Sequence, residues 1–305
     1  MSDIHIYEVG PRDGLQNLNF QTPTAEKIDL IKGLHKVGLR DIEITSFVHP
    51  KLVPNMADAE EVFTATKDIA DFGVLIPNQK GFDRATAVGA KKMNVFFSPS
   101  ESFNQANLGR SLDEALSGIN KMLEETKKED VRAYVSCAFG CPIEGKPSEH
   151  KLLEAIQVAD SIADTVVLCD TIGAGHPSLI RRTLELSRHV DADISLHLHH
   201  KKNKKDNMFP NIKAALDWGV TQFDGSIGGL GGCPFIPDSG SNLSTNDLVR
   251  FLHKNNYDTG LEISELDIIA QAYSPEQVTP ITPRKLQVKN KLEELLQRIP
   301  LGSKW

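Results

Sequence analysis

The sequence predicts an α/β protein, a (β/α)8 TIM barrel followed by a C-terminal helical extension. About eight short strand-like runs recur along the chain, and helical stretches separate most of them. That alternation implies parallel strands joined by right-handed crossovers. A length of 305 residues suits one such barrel. No Gly-x-Gly-x-x-Gly follows the first strand, which weakens the runner-up, an open doubly wound sheet that binds a dinucleotide. The barrel is expected over residues 1–280 and the helical tail over 281–305.

The first apolar run, 4–9, stops at Gly10-Pro11-Arg12-Asp13-Gly14-Leu15-Gln16-Asn17, because glycine and proline suit a loop and not a strand interior. Thr22-Pro23 reads as an N-cap with proline at the first helical position. Leu30, Ile31, Leu34 and Val37 then recur at helical spacing, and Gly38 ends the helix. Residues 41–45 alternate polar and apolar and form the second strand. Further strands are expected at 72–76, 93–97, 132–136, 165–168, 194–199 and 222–227. Helices at 112–126, 149–163 and 177–188 lie among those between them. Leu286, Leu292, Leu295, Leu296 and Ile299 place a last helix at 283–299. It either covers the barrel exterior or meets a second copy of the chain in a homo-oligomer.

Composition narrows the function classes. Hydrophobic residues make up 40% and charged residues 25%, enough for a substantial core in an ordinary globular protein. The net charge of -7 argues against general nucleic-acid binding. No apolar run is long enough to span a membrane. Met1-Ser2-Asp3-Ile4-His5 lacks the basic and apolar regions of a signal peptide, so the expected location is cytoplasmic. Cys137, Cys141, Cys169 and Cys233 are too few for a disulfide framework. Cys137 and Cys141 lack the second Cys or His pair of a usual zinc site and read as packed thiols beside a turn.

The unusual polar residues fall where barrel chemistry resides, at the C-terminal strand ends. In Ile194-Ser195-Leu196-His197-Leu198-His199-His200 the histidines alternate with leucines, so in a strand His197 and His199 point the same way. Arg12 and Asp13 follow the first strand, Glu43 lies in the second, and Asp170 follows the sixth. Cys233, framed by Gly228, Gly229, Gly231 and Gly232, and then Asn242 follow the eighth. Asp13, His197 and His199 offer one hard oxygen and two imidazole nitrogens, and Asn242 can add an amide oxygen. Such a set suits Mg²⁺ or Mn²⁺, with Zn²⁺ as an alternative. An Asp after a strand is usually a cap and a lone Asn a turn residue, so the paired histidines carry the metal reading. Arg12 beside Asp13 is either a structural ion pair or a guanidinium facing a developing enolate or carboxylate. A thiol at Cys233 can exchange a proton, or attack if its pKa is lowered.

These motifs resemble a known family. Val9-Gly10-Pro11-Arg12-Asp13-Gly14-Leu15-Gln16-Asn17 is similar to the opening of 3-hydroxy-3-methylglutaryl-CoA lyases, and Ile42-Glu43-Ile44-Thr45-Ser46-Phe47-Val48 to their second strand. Tyr134-Val135-Ser136-Cys137-Ala138-Phe139-Gly140-Cys141-Pro142, Asp170-Thr171-Ile172-Gly173 and Gly229-Leu230-Gly231-Gly232-Cys233-Pro234 fit too, with Ser241-Asn242-Leu243 behind. The resemblance spans roughly the first 275 residues in family order. It implies a metal-dependent retro-Claisen lyase on a TIM barrel, acting on a small acyl-CoA. It implies Asp13, His197, His199 and Asn242 as metal ligands, and Arg12 as the stabiliser of the enolate. It implies proton transfer by Cys233, catalytic roles for Glu43 and Asp170 near the metal, and substrate contacts from Arg12 and Gln16.

The chain departs from the family after its histidines. His200 stands where an acidic residue is usual, and Lys201, Lys202, Lys204 and Lys205 follow in a basic run up to Pro210. The lysines form either a solvated loop or a contact for coenzyme A phosphates. The departure leaves room for a related 3-hydroxyacyl-CoA as substrate. Rival readings are a condensing synthase of the same superfamily, which generally carries more chain after the barrel, a metal-dependent aldolase for free hydroxy-acids, and a catalytically dead barrel retained for binding.

Overall fold

The computed structural model describes residues 4–16, 18, 20–124, 126–127, 130–201, 208–231 and 239–273. The helical tail expected over 281–305, the boundary at 280, Cys233, and Lys202, Lys204 and Lys205 lie outside the described residues, as does the side chain of Lys201.

Eight parallel strands form a closed ring. They are β1 (His5–Glu8), β2 (Asp41–Ser46), β3 (Gly73–Leu75), β4 (Met93–Phe97), β5 (Val131–Val135), β6 (Thr165–Asp170), β7 (Asp193–Lys201) and β8 (Gln222–Gly225). Each pairs with its neighbours in sequence, β6 with β7 included, and β8 pairs with β1 to close the barrel. The helices between them are α1 (Thr24–Lys36), α2 (Ala59–Thr66), α3 (Gln79–Val88), α4 (Glu101–Leu108), α5 (Leu112–Leu123), α6 (Glu149–Ile162), α7 (Pro177–Leu186) and α8 (Met208–Trp218). α9 (Thr245–Lys254) and α10 (Ile263–Tyr273) follow the last barrel strand. The predicted fold class is therefore found, with strand boundaries shifted by a residue or two. No described helix is long and apolar enough to cross a membrane.

Side-chain alternation separates two interiors. Outward residues such as Ile42, Ile44, Val166, Leu168, Leu196, Leu198 and Phe223 join the helices in the main core. Inside the barrel, Leu75, Tyr134, Val167 and Cys169 form a small apolar cluster. The rest of the barrel interior is polar, with Asn94, Arg132, Ser195 and Asp224 buried there. Buried polar groups are tolerable when bonded: Arg132, Ser195 and Asp224 bond to one another, and Asn94 bonds to Tyr7 and Glu43.

Several helix starts follow simple capping. Ser111 and Glu114 form a reciprocal capping box on α5, while Asn78, Ser148 and Ser244 cap α3, α6 and α9 through side-chain oxygens. The expected cap at Thr22 is not found. Pro23 occupies the cap position of α1 without a side-chain bond, and Asn55 Oδ1 accepts the Thr22 amide at 2.9 Å. The helix starts one residue later than the sequence suggests, at Thr24, and the Thr22 hydroxyl is left buried without a partner. The turn thiols are as expected: Cys137 and Cys141 are buried together against Phe103.

Candidate active site

The site is built first by the turn after β1. The amides of Arg12, Asp13 and Gly14 all point at the Val9 carbonyl, at 3.2, 2.7 and 3.2 Å. This wide helical turn, Gly10–Gly14, lifts Arg12 and Asp13 into the C-terminal mouth of the barrel. Beneath it, Glu8 Oε1 accepts the amides of Gly10 and Ile227 at 2.7 and 2.8 Å, and Glu8 Oε2 accepts the Thr245 hydroxyl at 2.6 Å. Burial lifts the Glu8 carboxyl to about 7 despite those bonds. Gln16 lies half-buried two residues past the turn.

Arg12 is the hub of the ionic network. Its Nη1 donates to Asp13 Oδ1 at 2.7 Å and its Nε donates to Glu43 Oε2. Asn94 donates to the other Glu43 oxygen at 2.6 Å and to the Tyr7 hydroxyl at 2.9 Å. Burial disfavours the guanidinium charge, but Glu43 and Asp13 outweigh it and keep Arg12 ionised. Burial likewise opposes the Asp13 carboxylate, yet Arg12 and the two histidines bring it down to about 2.

The histidines converge from β7. Their Nε2 atoms are 3.1 Å apart, and the donor atoms of Asp13, His197 and His199 all lie within 4.8 Å of one another. Each ring is held at its far nitrogen. His197 Nδ1 faces Asp224 Oδ2 at 3.1 Å, and His199 Nδ1 faces the Thr171 carbonyl at 3.0 Å. A carbonyl only accepts, so the His199 proton sits on Nδ1 and its Nε2 lone pair points into the cluster. The same logic applies to His197 facing a carboxylate. Two such lone pairs facing each other at 3.1 Å repel, and a proton or a cation between them relieves that repulsion. Burial opposes charge on His197, but the bond to Asp224 prevails and raises its pKa; burial and the charge of His197 push His199 down to about 4.

Asn242 completes the cluster from an unexpected element. It lies not in a loop but in a ninth strand, β9 (Ser239–Asn242), antiparallel to β7 with Asn242 opposite His199. Its Nδ2 donates to Asp13 Oδ2 at 2.7 Å and to the Leu230 carbonyl at 2.9 Å. Those two acceptors fix the amide orientation, and leave Oδ1 buried without a hydrogen-bond partner. Gly231 packs against the same residues with φ +86°, and a Cβ there would meet Asp13 O at 2.8 Å and Asn242 Nδ2 at 2.9 Å. Only glycine fits that approach.

Asp170 closes β6 on the same rim. Its carboxylate accepts the amides of Ala174 and Gly175 at 2.8 and 2.9 Å, and burial lifts its pKa to about 6 against those bonds. The structure thus gathers Arg12, Asp13, Glu43, His197, His199 and Asn242 into one bonded cluster with Asp170 beside it. Sequence reasoning missed Asp224, Asn94, Glu8 and Arg132. Asp224 is the informative case, because it brings from β8 the carboxylate that faces His197 Nδ1.

The donor set fits a divalent cation. It offers two converging imidazole lone pairs, a carboxylate, and a buried amide oxygen left unpaired. Comparison with known proteins places this geometry. A family model described as HMGL-like matches residues 3–272. The chain belongs to the HMGL-like family. Hydroxymethylglutaryl-CoA lyase YngG of Bacillus subtilis (strain 168) is 36% identical over 296 residues, covering 93% of this chain and 97% of that protein. The mitochondrial hydroxymethylglutaryl-CoA lyase of Rattus norvegicus is 39% identical over 280 residues, covering 88% and 85%. Among solved structures, an HMG-CoA lyase from Acinetobacter baumannii in complex with coenzyme A and 3-methylmalate superposes with a TM-score of 0.82 at 32% identity, covering 92% of this chain and 97% of that one. The HMGL-like membership agrees with the barrel and with the resemblance carried by the motifs.

Proposed function

We propose that this protein is a lyase that cleaves 3-hydroxy-3-methylglutaryl-CoA, or a closely related 3-hydroxyacyl-CoA, to acetyl-CoA and acetoacetate by a retro-Claisen reaction. The observation that carries it is the convergence of Asp13, His197, His199 and Asn242 beside a charged, buried Arg12, in a barrel of the HMGL-like family. Those four residues would hold a divalent cation, Mg²⁺ or Mn²⁺ by the mixed nitrogen and oxygen set, with Zn²⁺ as the alternative. When bound, the cation supplies positive charge that acidifies the substrate hydroxyl.

The residues account for the remaining steps. Asp170, with its pKa lifted to about 6, takes the hydroxyl proton at a carboxylate oxygen. The O–H electrons become the new carbonyl, the bond between the second and third acyl carbons breaks, and its electrons move onto the thioester as an enolate. Arg12 meets that negative charge only as the bond breaks, so its interaction lowers the barrier and not merely the ground state. Glu43 and Asn94 hold the guanidinium in place. Cys233 donates the proton that turns the enolate carbon into the methyl of acetyl-CoA, and so balances the proton taken at the hydroxyl. Arg12 and Gln16 bind the acyl portion.

The test is direct. Incubation with Mg²⁺ or Mn²⁺ and 3-hydroxy-3-methylglutaryl-CoA is expected to release acetyl-CoA and acetoacetate in equal amounts. No product with either ion, alongside cleavage of free hydroxy-acids, overturns the reading in favour of an aldolase.

A further inference from the structure

We propose that Asp224 is the positioning residue that makes His197 a metal ligand. It holds the imidazole proton on Nδ1 and so keeps the Nε2 lone pair turned toward Asp13, His199 and Asn242. The inference rests on reading that cluster as a divalent cation site.

The two histidines are held by different means. His199 Nδ1 faces the main-chain carbonyl of Thr171, which no side-chain change removes. His197 depends on a side chain. The parallel register of β7 and β8 pairs Ser195 with Gln222 and Leu196 with Phe223, and the same ladder carries Asp224 alongside His197. Both residues are buried, so little water competes for the contact.

The Asp224 carboxylate is divided between two tasks. Oδ1 accepts from Arg132 Nη2 and from the Ser195 hydroxyl at 3.3 Å, while Oδ2 faces His197 Nδ1. Arg132 is itself fixed, with its guanidinium 4.0 Å from the Tyr7 ring centroid and its Nη2 also donating to Ser195 Oγ at 3.0 Å. Donors therefore saturate one oxygen and leave the other for the ring. In Asp224→Asn the shape is kept, but Arg132 and Ser195 demand the amide oxygen on their side. The amide NH₂ then faces His197 Nδ1, which can only accept from it. A neutral ring must carry its proton on Nε2, where it blocks coordination. A carboxylate behind a ligating histidine commonly has this orienting effect.

The experiment uses the full chain, metal-free, as parent and as Asp224→Asn. Histidine tautomers are read by ¹⁵N NMR at alkaline pH, where both rings are neutral, and Mn²⁺, Mg²⁺ and Zn²⁺ are titrated by calorimetry. Both His197 and His199 are expected as Nδ1–H in the parent. In the variant His197 is expected to change to Nε2–H while His199 does not, and Mn²⁺ affinity is expected to fall about 10- to 100-fold. A purely structural role for Asp224 would not move one tautomer and spare the other. An unchanged His197 tautomer, or an unchanged affinity, overturns the proposal. If the variant does not fold, the parent spectrum decides, because Nε2–H at His197 there overturns it as well. A parent that binds none of the ions while His197 is Nδ1–H overturns the cation site and the ligand role, but not the hold of Asp224 on the ring.

Discussion

The two ends of the barrel use the same kinds of residue to opposite effect. At the N-terminal end, a cleft of about 280 Å³ is lined by Tyr7, Asp41, Lys92, Arg132, Asp193 and Gln222 among others. There several groups pair locally: Lys92 with Asp41 at 3.6 Å, Gln222 donating to Asp193 at 2.9 Å, and Arg132 lying over Tyr7. At the C-terminal end the bonds run the other way. Asp224 and Thr171 take up the outer nitrogens of the two histidines, so the inner nitrogens converge beside the Asp13 carboxylate. Burying charge is therefore not the mark of a site. Convergence of two inward imidazole lone pairs beside a carboxylate is, because leaving those lone pairs unpaired costs free energy that a positive charge returns.

Substitutions at the two ends should differ accordingly. The largest effect is expected for His199→Ala, which removes a converging donor. Divalent-ion affinity should be lost in calorimetry and turnover should fall by at least about a thousandfold. Cys233→Ala should lower kcat by about 10²- to 10⁴-fold while ion binding stays intact. Retained binding with lost turnover would separate proton transfer from the cation site. Next comes Arg12→Gln, expected to lower kcat by about 10²- to 10³-fold, with a smaller change in KM. A change confined to KM would show that Arg12 acts on the ground state instead.

The fourth expectation concerns stability below the site. The folded-state pKa of Glu8, about 7, lies above the ordinary carboxyl value, so the native state favours its protonated form. Its contribution is full below the unfolded-state pKa and is lost as pH rises through about 7. At about 1.4 kcal/mol per unit, the parent should lose about 3 kcal/mol more than Glu8→Gln between roughly pH 5 and 8. Denaturant melts at both pH values measure it, and parallel pH curves would refute it. The smallest effect belongs to the opposite end. Lys92→Ala breaks a half-exposed pair and should change stability by less than about 1 kcal/mol, with kcat/KM and ion affinity unchanged.

The comparison also explains what was legible in the sequence. Period-two alternation exposed the barrel and the histidine pair, because residues 193–201 keep leucines out and histidines in over a long strand. β9 escaped notice because Ser239–Asn242 has no apolar face; its backbone approaches β7 so closely that a Cβ at Gly240 would lie 1.9 Å from His200 O. Asp224 escaped because one acid in a four-residue strand carries little pattern by itself. Thr22 misled for another reason: α1 begins at Thr24, so Pro23 and not Thr22 stands at the cap, while the Thr22 amide is held by Asn55 Oδ1. Local rules found what repeats, and missed what is fixed by neighbours distant in sequence.

The bond between Asn242 and Asp13 joins residues 229 positions apart, across the seam where β8 meets β1. A ribosome releases the first of these residues long before the second exists. The nascent chain must therefore carry Asp13 without Asn242 through most of synthesis, and a product truncated just before β9 would keep all eight barrel strands yet lack Asn242. The polar cluster of this fold is thus assembled only once the chain has been made as far as Asn242.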